Sequence, residues 1–265
     1  VKVLEIPYAL FQHLDLFWTF ALLTARFIGL FFTMPGIGQG MTGVRIRMPA
    51  ILLLSVASLA VSPRATLPVD IIHMAVALLL EALLGTLLGL IPLLIVVGVQ
   101  TGGQLATGTM GLGGATLFDP STGGSVSDIA RIQGDLTVVV FLLFGGHYFL
   151  IEAASGLSTS IVPGSLSINA ATVALLIDRT ADVFRLAVMV SAPVIVALLF
   201  TQFVMGLISK AVPAVNIFIV SFPLTIGIGM ILTILALPEI IHLLEREYRA
   251  AEMAIGTTVD SMKSE

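Results

Sequence analysis

From Gln100 to Ser125 an otherwise apolar chain breaks into the run QTGGQLATGTMGLGGATLFDPSTGGS. Irregular backbone facing lipid would leave its amide and carbonyl groups unpaired, so such a stretch must line a cavity, lie inside protein or sit outside the membrane. Glycine suits that setting, because it accepts backbone angles closed to other residues and lets neighbours approach closely. The run is therefore read as the working part of the chain.

That argument needs a membrane, and the composition supplies one. Of 265 residues, 57% are hydrophobic and 11% charged, with a mean hydropathy of +1.10. Soluble domains carry about 25% charged residues, so this chain cannot cover a water-facing surface. It has no cysteine, which removes disulfides, thiolate nucleophiles and cysteine-ligated metals. Twelve basic residues spread singly, in a chain of net charge −4, leave no patch for nucleic acid. Glu5, His13 and Asp15 do not fit a cleavable signal with a basic start, so the first apolar segment is expected to be retained.

Apolar segments fall near Leu16–Met34, Pro49–Val61, Ile71–Val99, Leu136–Ile151, Val183–Ile208 and Ala214–Leu237. A bilayer-spanning helix needs roughly 20 apolar residues. The first, fifth and sixth qualify; the second and fourth are short, and the third is long with Pro92 inside it. Pro193 and Pro223 also lie within segments, where proline removes a backbone bond and bends a helix. The expectation is an all-α, membrane-type protein of kinked, Pro/Gly-interrupted helical hairpins.

Two GxxxG steps, Gly85/Gly89 and Gly98/Gly102, permit close helix approach. With six segments, Lys2, Arg64, Arg179, Arg246, Arg249 and Lys263 fall on one side and Arg45, Arg47, Arg131 and Lys210 on the other. So slight a bias does not fix topology. Either the number of spans differs, or the chain matures inside an assembly and buries irregular backbone against other subunits.

Two stretches read as water-facing. Asp128, Arg131 and Asp135 are spaced so that the arginine can meet a carboxylate on either side along a helix. Beyond Glu239, Ile240, Leu244, Tyr248, Ala251 and Ile255 line one side of a helix whose other side holds Glu245, Arg246, Arg249 and Glu252. This amphipathic end is expected to dock on a partner.

Enzyme chemistry finds little footing. His13, His73, His147 and His242 are isolated, with no metalloprotease spacing. Ser125 or Ser158 with His147 as base would be needed for an intramembrane hydrolase, and neither serine sits in a nucleophile turn. The glycines at 36–40 and 111–114 follow no strand and lack the Lys-Ser/Thr of a phosphate loop. No metal or cofactor is expected. Arg26 and Glu81 are the charges set deepest in apolar sequence. A charge at a bilayer centre costs about 2.5–3.5 kcal/mol on insertion scales, so each needs a partner. They are read as structural pairs within or between chains. In a secondary transporter, the alternative reading, they would couple ions; such a protein also needs a mid-membrane polar cluster from both halves, which is absent.

Three passages in order resemble a known family: Leu117-Phe118-Asp119-Pro120 after the glycine run; Ala130-Arg131-Ile132 leading to Gly145-Gly146-His147; and residues 213–224, PAVNIFIVSFPL. Their order and spacing resemble the FliR family of flagellar export-gate proteins, called SctT in injectisomes. The resemblance runs from the first apolar segment to about Leu244. It implies one subunit of a helical hetero-oligomeric assembly with FliP- and FliQ-type subunits, an FlhB-type protein at its base and unfolded export substrates in transit. That assembly belongs to the bacterial inner membrane at the flagellar basal body, much of it above the bilayer plane. The whole of 1–265 is then one export-gate domain, with an N-terminal helical part (16–99), a plug loop (100–125), a C-terminal helical part (126–240) and an amphipathic tail (241–265).

In the family, the loop matching Gln104–Thr122 projects into the channel as a plug. The plug residues expected here are Gln104, Met110, Gly111, Leu112, Gly113, Gly114, Leu117 and Phe118. Read from the residues, Met110, Leu112, Leu117 and Phe118 suit a dry constriction that blocks ions by excluding water. Asp119 precedes a proline and is pushed towards extended geometry. Asp119 and Pro120 are expected to fix the loop's exit, with the carboxylate taking amides at the start of the helix leading to Arg131.

Overall fold

The computed structural model describes residues 2–36, 40–111, 128–156, 162–165, 170–212 and 217–261. Among these there are seven helices and no strand: α1 (Lys2–Thr33), α2 (Gly40–Ser58), α3 (Ile71–Met110), α4 (Asp128–Leu143), α5 (Gly146–Ser155), α6 (Ala170–Ala211) and α7 (Ile217–Ser261). Four helices are long and apolar enough to cross a membrane, over Leu14–Thr33, Ile71–Met110, Ile177–Ala211 and Ile219–Met253. The broken pair α4–α5 would make a fifth.

The helices outrun the segments expected from hydropathy. Helices α3, α6 and α7 hold 40, 42 and 45 residues. At 1.5 Å per residue they measure about 60–68 Å along the chain, twice a hydrocarbon core of roughly 30 Å. Part of each must leave the bilayer. Pro49, Pro92, Pro193, Pro223 and Pro238 all lie inside helices rather than ending them. Of the tail expected at 241–265, residues 241–261 continue α7, and 262–265 lie outside the described residues.

Polar side chains in these apolar helices satisfy themselves locally. Thr24, Ser55, Thr86, Thr101, Thr201 and Thr233 each donate a hydroxyl to the carbonyl four residues back. This pattern lets a hydroxyl sit where water is scarce.

The chain divides into two compact units. The first comprises Val1–Leu93, Phe141–Asp178 and Tyr248–Glu265. Trp18, Leu22 and Ala65 pack there with Ala21, Met74, Ala77 and Leu78. The connection after α2 is tied to α1: Ala65 N–H donates to Thr19 Oγ1 at 3.0 Å, and Leu67 N–H donates to Asp15 Oδ1 at 3.3 Å. Helices α1 and α3 meet through glycine. Gly85 lies on the Arg26 carbonyl, Gly29 on the Ala82 carbonyl and Thr86, and Gly89 on Thr33 and Leu30. Thr33 Oγ1 then reaches the Thr86 carbonyl at 3.1 Å.

The second unit comprises Leu94–Val140 and Arg179–Glu247. Its core gathers Ala106, Met110, Val194 and Leu198, with Ile129, Ile228 and Leu232 against them. Both GxxxG steps are therefore used inside the chain, Gly85/Gly89 in the first unit and Gly98/Gly102 in the second. The stripe Ile240, Leu244, Tyr248, Ala251 and Ile255 is likewise buried within the chain, not left open for a partner.

Candidate functional site

The glycine-rich run begins as helix, which shortens the loop expected at 100–125. Gly98, Gly102, Gly103 and Gly108 would ordinarily weaken a helix by about 1 kcal/mol each. Packing outweighs this at three of them. A Cβ on Gly98 would stand 3.0 Å from Leu186 Cβ, and one on Gly102 would stand 2.8 Å from the Ala187 carbonyl oxygen. A Cβ on Gly103 would overlap Gln133 and come within 2.8 Å of Ala130 Cα. Helices α6 and α4 lie on bare backbone at these positions, so the glycines are close-approach sites within a continuous helix.

The end of that helix is built with care for its polar groups. The last carbonyls of a helix have no partner within it. Here Gln202 Nε2 donates to the Thr109 carbonyl at 3.1 Å. The Thr225 hydroxyl lies 3.2 Å from the Met110 carbonyl and 3.1 Å from the Phe222 carbonyl of its own helix. Gly111 follows with φ +89°, and its N–H donates to the Gly108 carbonyl at 3.1 Å. This left-handed residue just past the last turn is what glycine permits at a helix end. The Met110 side chain is 1% exposed and fills the space that Gly229 leaves on α7.

A second arrangement lies in the first unit. Arg26 Nε donates to Glu81 Oε2 at 2.6 Å, with both side chains buried. Arg26 Nη1 donates to the Ala154 carbonyl at 3.2 Å. Ala154 is near the C-terminal end of α5, where carbonyls are unpaired and the helix dipole favours a cation. Glu81 Oε1 accepts from Gly164 N–H at 2.7 Å. The pair thus joins α1, α3, α5 and the 162–165 turn, and Arg26 Nη2 alone is left without a partner among the described residues.

The expected plug residues separate. Gln104 and Met110 are helical, Gln104 exposed and Met110 in the core. Met110 is packed within its own unit, against Ala106, Val194 and Leu198. Gly111 closes the helix. Leu112, Gly113, Gly114, Leu117, Phe118, Asp119 and Pro120 lie outside the described residues, as do Ser125 and Ser158. Arg131, Asp128 and Asp135 are all exposed on α4, and among the described residues no ion pair joins them, contrary to the spacing argument. His73 pairs with Asp70 at the surface, His147 stacks on Tyr148 and His242 is exposed. Among the described residues no group of His, Cys, Asp or Glu is arranged to hold a metal.

Thr225, Gln202 and Gly229 went unnoticed in the sequence. Thr225 stands one residue beyond the PAVNIFIVSFPL passage, and Gly229 shares its apolar helix with Gly227, so neither carried a signal of its own.

Residues 17–251 match the model of a family described as bacterial export proteins, family 1. The chain is 30% identical over 233 residues to the flagellar biosynthetic protein FliR of Caulobacter vibrioides, covering 86% of this chain and 92% of that protein. It is 29% identical over 226 residues to FliR of Pectobacterium carotovorum, covering 84% of each. It is also 27% identical over 202 residues to the surface presentation of antigens protein SpaR of Shigella sonnei, covering 74% of this chain and 76% of that one.

Proposed function

The chain belongs to the bacterial export proteins of family 1, the FliR/SctT family, and on that footing we propose that it is a gate subunit of a flagellar type III export apparatus. A part in the export machinery and a place in the inner membrane follow from the family and from the four apolar helices. The flagellar system is preferred over an injectisome because the relatives at 29% and 30% identity bear the flagellar name. FliP- and FliQ-type subunits and an FlhB-type protein are the partners of this reading, and unfolded proteins its cargo.

Within that assembly the segment 112–122 is the closure, with Leu112, Leu117 and Phe118 as its apolar seal. The observation that carries this is the end of α3. A glycine-rich segment that must block a channel needs a fixed root, and Met110-Gly111 provides one through a buried side chain, two capped carbonyls and a left-handed glycine. The transporter alternative is weaker. Both Glu81 oxygens are already engaged, by Arg26 and by the Gly164 amide, which leaves the deepest carboxylate occupied by the fold.

The test is a deletion of 112–118 that leaves Thr109, Met110 and Gly111 in place. Assembled with its partners and placed in a planar bilayer, the complex should conduct small ions where the parent does not. A complex of full composition that stays at the closed level would assign the seal to another subunit.

A further inference from the structure

Helix α3 ends at Met110, but the groups that define its end belong to α6 and α7. Most helical threonines here return their hydroxyls to their own helix, as Thr24, Thr101, Thr201 and Thr233 do. Thr225, buried on α7, shares its hydroxyl between the Phe222 carbonyl of its own helix at 3.1 Å and the terminal carbonyl of α3 at 3.2 Å. One turn further along α7, Gly229 leaves a notch that the Met110 side chain fills. A Cβ at Gly229 would stand 2.6, 2.7 and 2.8 Å from Met110 Cγ, Cε and Sδ. Phe222 lies on the other side of the exit, where a Cβ at Gly111 would come within 3.1 Å of its ring.

A helix whose last carbonyl and last large side chain are both held by a neighbour cannot rotate or unwind its final turn alone. The direction in which the chain leaves Gly111 is then set from α7. We infer that Thr225 and Gly229 are positioning residues for the gate segment, aiming its root without belonging to the seal. The inference rests on the reading of 112–122 as the closure.

Two neighbouring glycines make the test specific. Gly229→Ala must push Met110 aside, whereas a Cβ at Gly227 meets nothing within 4 Å. Both substitutions stiffen α7 equally. In the full complex, Gly229→Ala should raise ion leak several-fold with assembly unchanged, and Gly227→Ala should leave it at the parental level. Met110→Ala added to Gly229→Ala should lower the leak again, because the smaller side chain frees the notch. Thr225→Val removes one hydroxyl at constant shape and should leak, while Thr225→Ser should stay closed. If Gly229→Ala and Thr225→Val both stay closed while the 112–118 deletion leaks, the positioning role is wrong and the closure reading stands. A deletion that stays closed overturns the closure reading itself. Loss of assembly in Thr225→Val and Thr225→Ser alike would make Thr225 a structural support and overturn the inference.

Discussion

Arg26 and Glu81 meet at 2.6 Å with 1% and 0% of their side chains exposed. Fifty-five residues separate them in sequence, and both lie within helices apolar enough to span a membrane. The desolvation of two such charges is offset only where their hydrogen bonds are nearly complete. Glu81 meets that condition through Arg26 and Gly164, and Arg26 meets most of it through Glu81 and Ala154.

Removing either partner should therefore destabilise the first unit by about 3–5 kcal/mol, because the other charge is abandoned in a dry place. Arg26→Leu and Glu81→Leu should each lower the thermal midpoint of the purified complex sharply. The double variant should recover much of the loss. Single losses that simply add in the double variant would show that the two residues act independently.

The Arg185–Glu247 pair makes the opposite case. Its separation of 2.9 Å is nearly as short, yet Arg185 is half-exposed and shares its charge with Asp182. Exposed pairs contribute about 0.2–1 kcal/mol, so Glu247→Gln should barely move the same midpoint. Raising salt should erase the difference. A loss as large as that of Glu81→Leu would place this level of α6 and α7 in a dry setting.

Gly85 is where α3 lies on α1. Any Cβ there would overlap the Arg26 carbonyl, which is rigid backbone and cannot step aside. Gly85→Val should separate the helices and carry Arg26 away from Glu81. The expected result is loss of the folded subunit, seen as failure to co-purify with partner subunits. Gly206→Ala, at a position with open space around it, should co-purify normally.

The last part of α7 is expected to behave as core on one side only. Leu244 is fully buried and Glu252 is exposed. Leu244→Asp places an unpaired carboxylate in the second unit and should cost several kcal/mol. Glu252→Lys should fall within about 0.5 kcal/mol of the parent. Protease resistance of the 239–261 stretch in the complex distinguishes the two.

Much of the architecture was legible because the signals are local. Low charge and long apolar runs mark spanning helices wherever they occur. The 3–4 residue spacing of Ile240, Leu244, Tyr248, Ala251 and Ile255 marked one helix face, and all five are buried. Arg26 and Glu81 stood out because a lone charge in apolar sequence needs a partner.

The glycine run was read as loop down to Gln100 for an equally local reason, since glycine disfavours helix when nothing else acts. Only the tertiary structure shows what acts at Gly98, Gly102 and Gly103: helices α6 and α4 packed on bare backbone, which keeps α3 helical through Met110.

The sequence by itself determined that this chain is a helical membrane protein with two deep charges and a glycine-rich run. Composition and periodicity act over a turn or two, so they can be read one segment at a time. Only the tertiary structure decided that Glu81 takes the Gly164 amide, that Arg26 takes the Ala154 carbonyl and that α7 holds the end of α3 through Thr225 and Gly229. Those relations join residues 83, 128 and 115 positions apart. No local preference encodes such a meeting; it exists only where packing brings a donor, or an empty space, to the group that needs it.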